Sequence, residues 1–229
     1  MLIKDFLKLF YPDICLTCSN VLNDSEKIIC LSCEFSLPYT NFHTSAKDNQ
    51  IIELFAGKTI IESASSCFFY QKGLKVQKLM HLLKYKKRDD VGYYLGNIYG
   101  KKLQNTEPFC TADFIVPVPL HKKKLKTRGY NQSEVIAIGI SENLKISVDN
   151  TTLIRARFTE TQTKKSIFQR WENVSEMFEI SDKTKFSNKH IILVDDVITT
   201  GSTIEACANE ILKCENSKVS VLTIACAMN

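Results

Sequence analysis

At 229 residues, with 44% hydrophobic and 24% charged side chains, the chain has an ordinary globular composition, enough for one large domain or a domain with a small module. No apolar run approaches a membrane span, so membrane insertion is not expected, and residues 1–11, interrupted by Lys4, Asp5 and Lys8, do not read as a signal peptide. A cytoplasmic setting is expected. There the nine cysteines stay reduced, and closely spaced ones read as metal ligands rather than disulfides.

In chain order, the first such ligands are Cys15-Leu-Thr-Cys18 and Cys30-Leu-Ser-Cys33. Two Cys-x-x-Cys pairs this close can complete a tetrahedral Cys₄ zinc site, closed and therefore structural. Cys67, Cys110, Cys207, Cys214 and Cys226 are scattered and read as packing residues. Residues 36–57 lack periodicity and read as a linker. Residues 63–70 form a predicted strand, residues 74–87 a helix with a basic face, and Val91, Tyr94, Leu95, Ile98 and Tyr99 mark a second helix. The division expected is a zinc module over 1–45, a linker with hood helices over 46–112 and an α/β core over 113–229.

The core opens on the strand Phe114-Ile115-Val116, stopped by Pro117-Val118-Pro119. Lys122, Lys123, Lys124, Lys126 and Arg128 follow. They form the second of two basic clusters, the first being Lys75, Lys78, Lys84, Lys86, Lys87 and Arg88. A solvated helix face is the plain reading of such runs, a phosphate-rich ligand or nucleic acid the sharper one. Asn131 with Glu134 has the spacing of a capping box for a helix through Glu142. Residues 150–154 and 178–180 are short candidate strands, and the polar stretch 155–173, with Trp171, reads as a flap. Residues 219–225 are a last buried strand. Strands alternating with helices predict a doubly wound parallel sheet.

The most informative stretch is 191–203. Ile191-Ile-Leu-Val194 reads as a strand buried on both faces, Asp195 and Asp196 stand at its end, and Thr199-Thr200-Gly201-Ser202-Thr203 turns into a helix carrying Ile204, Cys207, Ala208, Ile211 and Leu212. A small-residue turn into a helix presents backbone N–H groups and the positive helix end, which suits a phosphate. The adjacent carboxylates repel that phosphate and suit hydroxyl groups or a metal. Together they read as a cradle for a ribose 5-phosphate at the carboxyl edge of the sheet.

This stretch resembles the signature by which type I phosphoribosyltransferases bind phosphoribosyl pyrophosphate (PRPP). The resemblance implies that Asp195 and Asp196 hold the ribose hydroxyls and that the segment Val197, Thr199, Thr200, Gly201, Ser202 and Thr203 holds the 5′-phosphate. It also implies a diphosphate loop over 116–122. Three further segments narrow the family. They are 116–122 with Arg128-Gly-Tyr-Asn-Gln132; Arg155-Ala-Arg157 with Thr161-Gln162, Arg170 and Asn173; and Tyr70 with Gly73 and Lys84-Tyr85. With the Cys₄ module, they resemble the ComF family of phosphoribosyltransferase-like proteins, except that Thr163-Lys-Lys-Ser166 stands where the family has an apolar residue.

The fold implied is a type I phosphoribosyltransferase-like doubly wound parallel sheet with an N-terminal zinc-ribbon module. The function implied is PRPP and Mg²⁺ binding in support of natural transformation, the uptake of single-stranded DNA. In an active enzyme Lys122, Arg128 and flap arginines would stabilise the departing diphosphate. Two alternatives stay open: a phosphoribosyltransferase of nucleotide metabolism with an unnamed acceptor, and a non-catalytic PRPP sensor that binds DNA. Single-stranded DNA and competence proteins are the expected partners. Tyr130 and Trp171 are candidate stacking residues for DNA as well as candidate packing residues.

Overall fold

The computed structural model describes residues 12–155 and 178–227. The N-terminal amphipathic stretch and the flap beyond Arg155, Trp171 included, lie outside these.

Five parallel strands form one sheet in the order β1 (Ser63–Phe69), β7 (Lys218–Cys226), β6 (His190–Ile198), β2 (Phe114–Pro117), β3 (Ser147–Val148). The central strands carry apolar runs because both faces are covered. One face receives α3 (Lys75–Tyr85), α4 (Asp89–Leu103) and α6 (Gln132–Leu144), whose buried rows include Leu79, Leu83, Leu95, Tyr99, Ile136 and Ile140. The other receives α7 (Ser202–Ile211) through Ile204, Cys207, Ala208 and Ile211. Helices on both faces make the sheet doubly wound, as its alternating pattern predicts. Before α3 come two short helices, α1 (Leu31–Phe35) and α2 (Gln50–Glu53); α5 (Lys122–Arg128) leads into α6.

Several sequence expectations are corrected. The linker read over 36–57 holds α2, capped by the Asn49 carboxamide on the Ile51 and Ile52 amides, and it buries Ile51 and Phe55. A single helical turn is too short to show periodicity. The sheet begins well before Asp113: β1 pairs with the last strand, Ser63 opposite Ser220 through Phe69 opposite Cys226. Its partner is remote in sequence, so no local pattern announces it. The strand expected over 150–154 is β4 (Leu153–Arg155), and it pairs antiparallel with β5 (Phe178–Ile180) in a separate two-stranded sheet. Asn131 does cap α6 through the Ser133 amide, but the Glu134 carboxylate accepts from Asn150 Nδ2 rather than closing the box.

Helices α4 and α6 touch through their backbones. A Cβ built on Gly96 would lie 2.2 Å from the Ile136 carbonyl oxygen, and one on Gly139 would lie 2.3 Å from that of Tyr93. No side chain can rotate out of such a clash, so the helices must separate. Gly96→Ala is expected to cost about 3 kcal/mol by overpacking, read as a lowered denaturation midpoint with unchanged slope.

Candidate functional site

The site lies where the strand order reverses. The chain leaves β2 toward β3 on one side and leaves β6 toward β7 on the other, so a crevice opens between β2 and β6 at their carboxyl ends. Pro117 ends the β2 ladder opposite Val194, and Pro119 follows one residue beyond the last bond, Val118 N–H to the Val194 carbonyl. Strand β6 continues alone on that side. Asp195 and Asp196 thus lie within β6 rather than beyond it, with Asp195 level with Thr223 on β7.

The two carboxylates are held differently. Asp195 Oδ1 accepts from the Ser133 hydroxyl at 2.9 Å and from the Asp196 amide at 2.8 Å. Burial, and then the charge of Asp196, push its carboxyl up to about 7, so it keeps a proton near neutrality. Asp196 pairs instead with Lys84 on α3, Nζ to Oδ1 at 3.0 Å, in a pair whose side chains are only 22% and 13% exposed. Neither Ser133 nor Lys84 is marked as a partner by sequence spacing; tertiary packing brings them in.

Beyond β6, Val197, Thr199, Thr200, Gly201, Ser202 and Thr203 border a shallow recess of about 50 Å³ together with Asp195. Gly201 stands at φ +78° as the residue before α7, and a Cβ there would sit 3.1 Å from the Phe55 ring. Only glycine turns the chain here without strain. The turn brings the unpaired N–H groups at the start of α7 to the recess. The predicted phosphate loop and carboxylates are therefore brought together.

Lys122 and Arg128 sit at the two ends of α5, on the β2 side of the crevice. Lys122 is exposed. Arg128 Nη1 donates to Gln132 Oε1 at 2.6 Å and its guanidinium lies 5.8 Å from the centre of the Tyr85 ring. His121, just before α5, caps it by accepting the Lys123 amide on Nδ1. Burial, and then the charges of Arg155, Lys123 and Lys124, hold its imidazole below the usual value. That field marks the loop after β2 as cationic. The Arg-Gly-Tyr-Asn-Gln stretch proves to be a brace. Tyr130 Oη donates to the Leu83 carbonyl on α3, Asn131 Nδ2 to the Val118 carbonyl at 3.0 Å, and Gln132 Nε2 to the Tyr130 carbonyl at 3.1 Å. Tyr130 is thus a packing residue joining α3 to the crevice.

The four predicted metal ligands converge. The sulfurs of Cys15, Cys18, Cys30 and Cys33 all lie within 4.8 Å of one another, with Cys18 Sγ to Cys30 Sγ at 3.7 Å. A tetrahedral zinc thiolate with bonds of about 2.3 Å has sulfur–sulfur edges of about 3.8 Å, so the set fits zinc. The Cys30 amide donates to Cys15 Sγ at 3.3 Å, the kind of contact that orients a thiolate ligand. Cys67, Cys207, Cys214 and Cys226 are buried elsewhere and pack as expected, while Cys110 is half-buried.

Size alone would point elsewhere. A cavity of about 780 Å³, larger than either recess beside 191–203, lies between the cysteine module and α4, lined by Ile28, Ile29, Tyr39, Tyr94 and Asn97, and touches no residue of 191–203. No helix among the described residues is long and apolar enough to cross a membrane.

Residues 128–228 match the phosphoribosyl transferase domain family. The chain is 30% identical over 138 residues to the DNA utilization protein YhgH of Escherichia coli K12, covering 59% of this chain and 60% of that protein. It is 36% identical over 111 residues to competence protein F of Haemophilus influenzae, covering 48% and 47%. A solved glutamine PRPP amidotransferase from B. subtilis overlaps 62% of this chain and 30% of its own at 23% identity and a TM-score of 0.44. The chain spans less than two thirds of the length of these relatives; what it shares with them is a phosphoribosyl transferase domain over residues 128–228 and similarity to proteins named for DNA utilization and competence.

Proposed function

We propose that the chain binds PRPP with Mg²⁺ at the carboxyl end of β6 and supports the handling of single-stranded DNA during natural transformation, in the cytoplasm. The observation that carries the ligand is the crevice itself: a carboxylate pair in the carboxyl-terminal half of β6, shortly before a hydroxyl-rich loop that opens a helix. In this reading Asp195 and Asp196 take the ribose hydroxyls, and the segment Val197, Thr199, Thr200, Gly201, Ser202 and Thr203 takes the 5′-phosphate. Lys122, Arg128 and the cationic loop around His121 face the diphosphate. Mg²⁺, which Asp195 and Asp196 would help to hold, would neutralise diphosphate charge that the two aspartates cannot. Zinc at Cys15, Cys18, Cys30 and Cys33 holds the module.

The relatives named for DNA utilization and competence support the DNA role, and so do the exposed lysines: Lys86 and Lys87 beyond α3, and Lys122, Lys123, Lys124 and Lys126 on α5. The rest of the first cluster is engaged. Lys84 is on Asp196, Arg88 on Asp90, and Lys78 on the Thr17 carbonyl. A second reading, an active transferase, is favoured by a recess of about 410 Å³ beside the site.

Calorimetric titration with PRPP and Mg²⁺ tests the ligand; no heat and no thermal shift at millimolar PRPP would refute it. For DNA, the affinity for a single strand should fall with salt by about 0.7 log units per log unit for each phosphate contact. Replacing Lys86, Lys87 and Arg88 by Ala should flatten that slope and leave PRPP binding intact. A wild-type slope near zero would remove the DNA role and leave the first part standing.

A further inference from the structure

The cysteine set is not equally closed on all sides. Cys15 and Cys33 are 1% and 3% exposed, Cys30 is half-buried, and Cys18 is the one exposed cysteine among the described residues. Cys18 begins a solvent-facing run, Cys18-Ser19-Asn20. The inner sulfur of the first pair is well sheltered: Cys15 Sγ lies 3.1 Å from the Thr17 hydroxyl and accepts the Cys30 amide at 3.3 Å. The two outer ligands, Cys18 and Cys30, come from different Cys-x-x-Cys turns, and their sulfurs stand 3.7 Å apart. They form one accessible edge of the set, joined across the turns rather than within either.

Such an edge has a chemistry that a fully buried Cys₄ set lacks. Zinc ligation holds the sulfurs as thiolates. The reaction of a thiolate with a hydroperoxide follows its thiolate character and its exposure, and both are highest at Cys18 and Cys30. Cys18 Sγ attacks the peroxide, the O–O bond breaks, an alcohol leaves, and the sulfur becomes a sulfenic acid. Cys30 Sγ then attacks that sulfur, the S–OH bond breaks, and the hydroxide leaves as water with a proton from solvent. In sum, two thiolates, one hydroperoxide and two protons give a disulfide, an alcohol and water. Two electrons pass from sulfur to peroxide. Zinc itself has no redox chemistry; left with two of its four ligands, it dissociates as Zn²⁺.

The same edge abuts the helix that serves the crevice. Thr17, next to Cys18, accepts Lys78 Nζ of α3 on its carbonyl at 3.0 Å, and the Ser36 hydroxyl, just beyond the second cysteine pair, accepts Lys75 Nζ. Six residues past Lys78, the same helix presents Lys84 to Asp196. We propose that Cys18 and Cys30 form a reversible modification site for hydroperoxides, whose disulfide expels the zinc and loosens α3. The effect on the crevice rests on the PRPP reading; the modification does not.

The test titrates the zinc-loaded full chain with hydrogen peroxide. Released zinc is followed with a chromogenic chelator, and disulfides are mapped by differential alkylation and mass spectrometry. The expected result is one zinc released for each two thiols lost, with a Cys18–Cys30 disulfide as the first product and faster amide exchange along Lys75–Tyr85. PRPP affinity should fall at least about fivefold, the low end of couplings between remote sites. A thiol reductant with added zinc should restore every readout. Cys110→Ser removes the other half-buried thiol and should leave the release curve unchanged. A first disulfide within either Cys-x-x-Cys turn, oxidation of Cys110 with zinc retained, or zinc loss without a change in α3 exchange would overturn the inference. Failure of PRPP to bind the reduced chain would overturn the PRPP reading alone, because zinc release, the disulfide and α3 exchange are read without that ligand.

Discussion

Asp195→Asn combined with Asp196→Asn is expected to abolish the proposed PRPP binding, and Asp195→Asn alone to make the protein more stable above neutral pH. The first half follows from the ligand assignment. Two carboxylates that accept ribose hydroxyls, or share Mg²⁺ with them, have no substitute in two carboxamides.

The second half follows from the held proton. The Asp195 carboxyl is raised by burial and by the Asp196 charge to about 7, against an unfolded value of about 3.9. Between those limits the folded chain binds more protons than the unfolded one. Unfolding free energy therefore falls as pH rises from about 4 to about 7, by up to roughly 4 kcal/mol in all, and is flat beyond. Asp195→Asn removes this slope while the Lys84–Asp196 pair stays in place and Ser133 can still donate to the carboxamide oxygen. The double variant is a poorer stability probe, because it strands a half-buried Lys84. Ligand binding shows the mirror image. If the ribose and Mg²⁺ need both carboxylates ionised, PRPP affinity rises about tenfold per pH unit below pH 7 and levels off above it, with a proton released on binding. Calorimetry in buffers of different ionisation heats reads that proton directly. Proton-neutral binding from pH 6 to 8, or an Asp195→Asn variant with the wild-type stability slope, would show that Asp195 is ionised in the free site.

The division between what the sequence discloses and what it conceals follows contact range. The 191–203 stretch is legible because its parts are neighbours in the chain: a buried strand, two acids on its end, a glycine that only a left-handed turn requires, a helix with one apolar row. The cysteine module is legible for the same reason. Lys84 is not. It reads as one lysine of a basic helix and as part of the Lys84-Tyr85 segment that carries the family resemblance, but neither reading gives it a partner; only the docking of α3 brings its ammonium to Asp196. Ser133 is hidden likewise, inside a helix start whose capping signal explains it fully. The Arg-Gly-Tyr-Asn-Gln stretch is visible as a motif, yet its hydrogen bonds show that it braces α3, α5 and α6. Strand β1 is visible as a strand, but parallel pairing with β7 couples residues more than 150 apart, as in Ser63 with Ser220.

Loss of the metal is expected to reach further than the module. A self-contained zinc module would loosen alone when Cys15 is replaced by Ser and would spare the α/β core, but the described residues of the module have no separate interior. Cys15, Ile28, Ile29, Cys33 and Leu37 belong to the same buried cluster as Leu79, Leu95 and Tyr99 of α3 and α4. Polar contacts reinforce the seam: Lys78 Nζ donates to the Thr17 carbonyl, inside the first cysteine pair, at 3.0 Å, and Tyr94 Oη donates to Glu34 Oε2 at 2.6 Å. Structural zinc contributes folding energy on the order of 10 kcal/mol in small domains. If even about half is lost when a ligand is removed, the melting temperature of a chain this size falls by about 10–20 °C. The helix that loses its support is α3, which carries Lys84 to Asp196. Cys15→Ser is therefore expected to drop zinc from one per chain to a fraction, lower the melting temperature, speed amide exchange along Lys75–Tyr85 and weaken PRPP binding at a site it does not touch. Chelation of the wild type should reproduce all but the first cause, and added zinc should reverse it. A zinc-free chain that melts at the wild-type temperature with α3 still protected would show that the module rides on the core without supporting it.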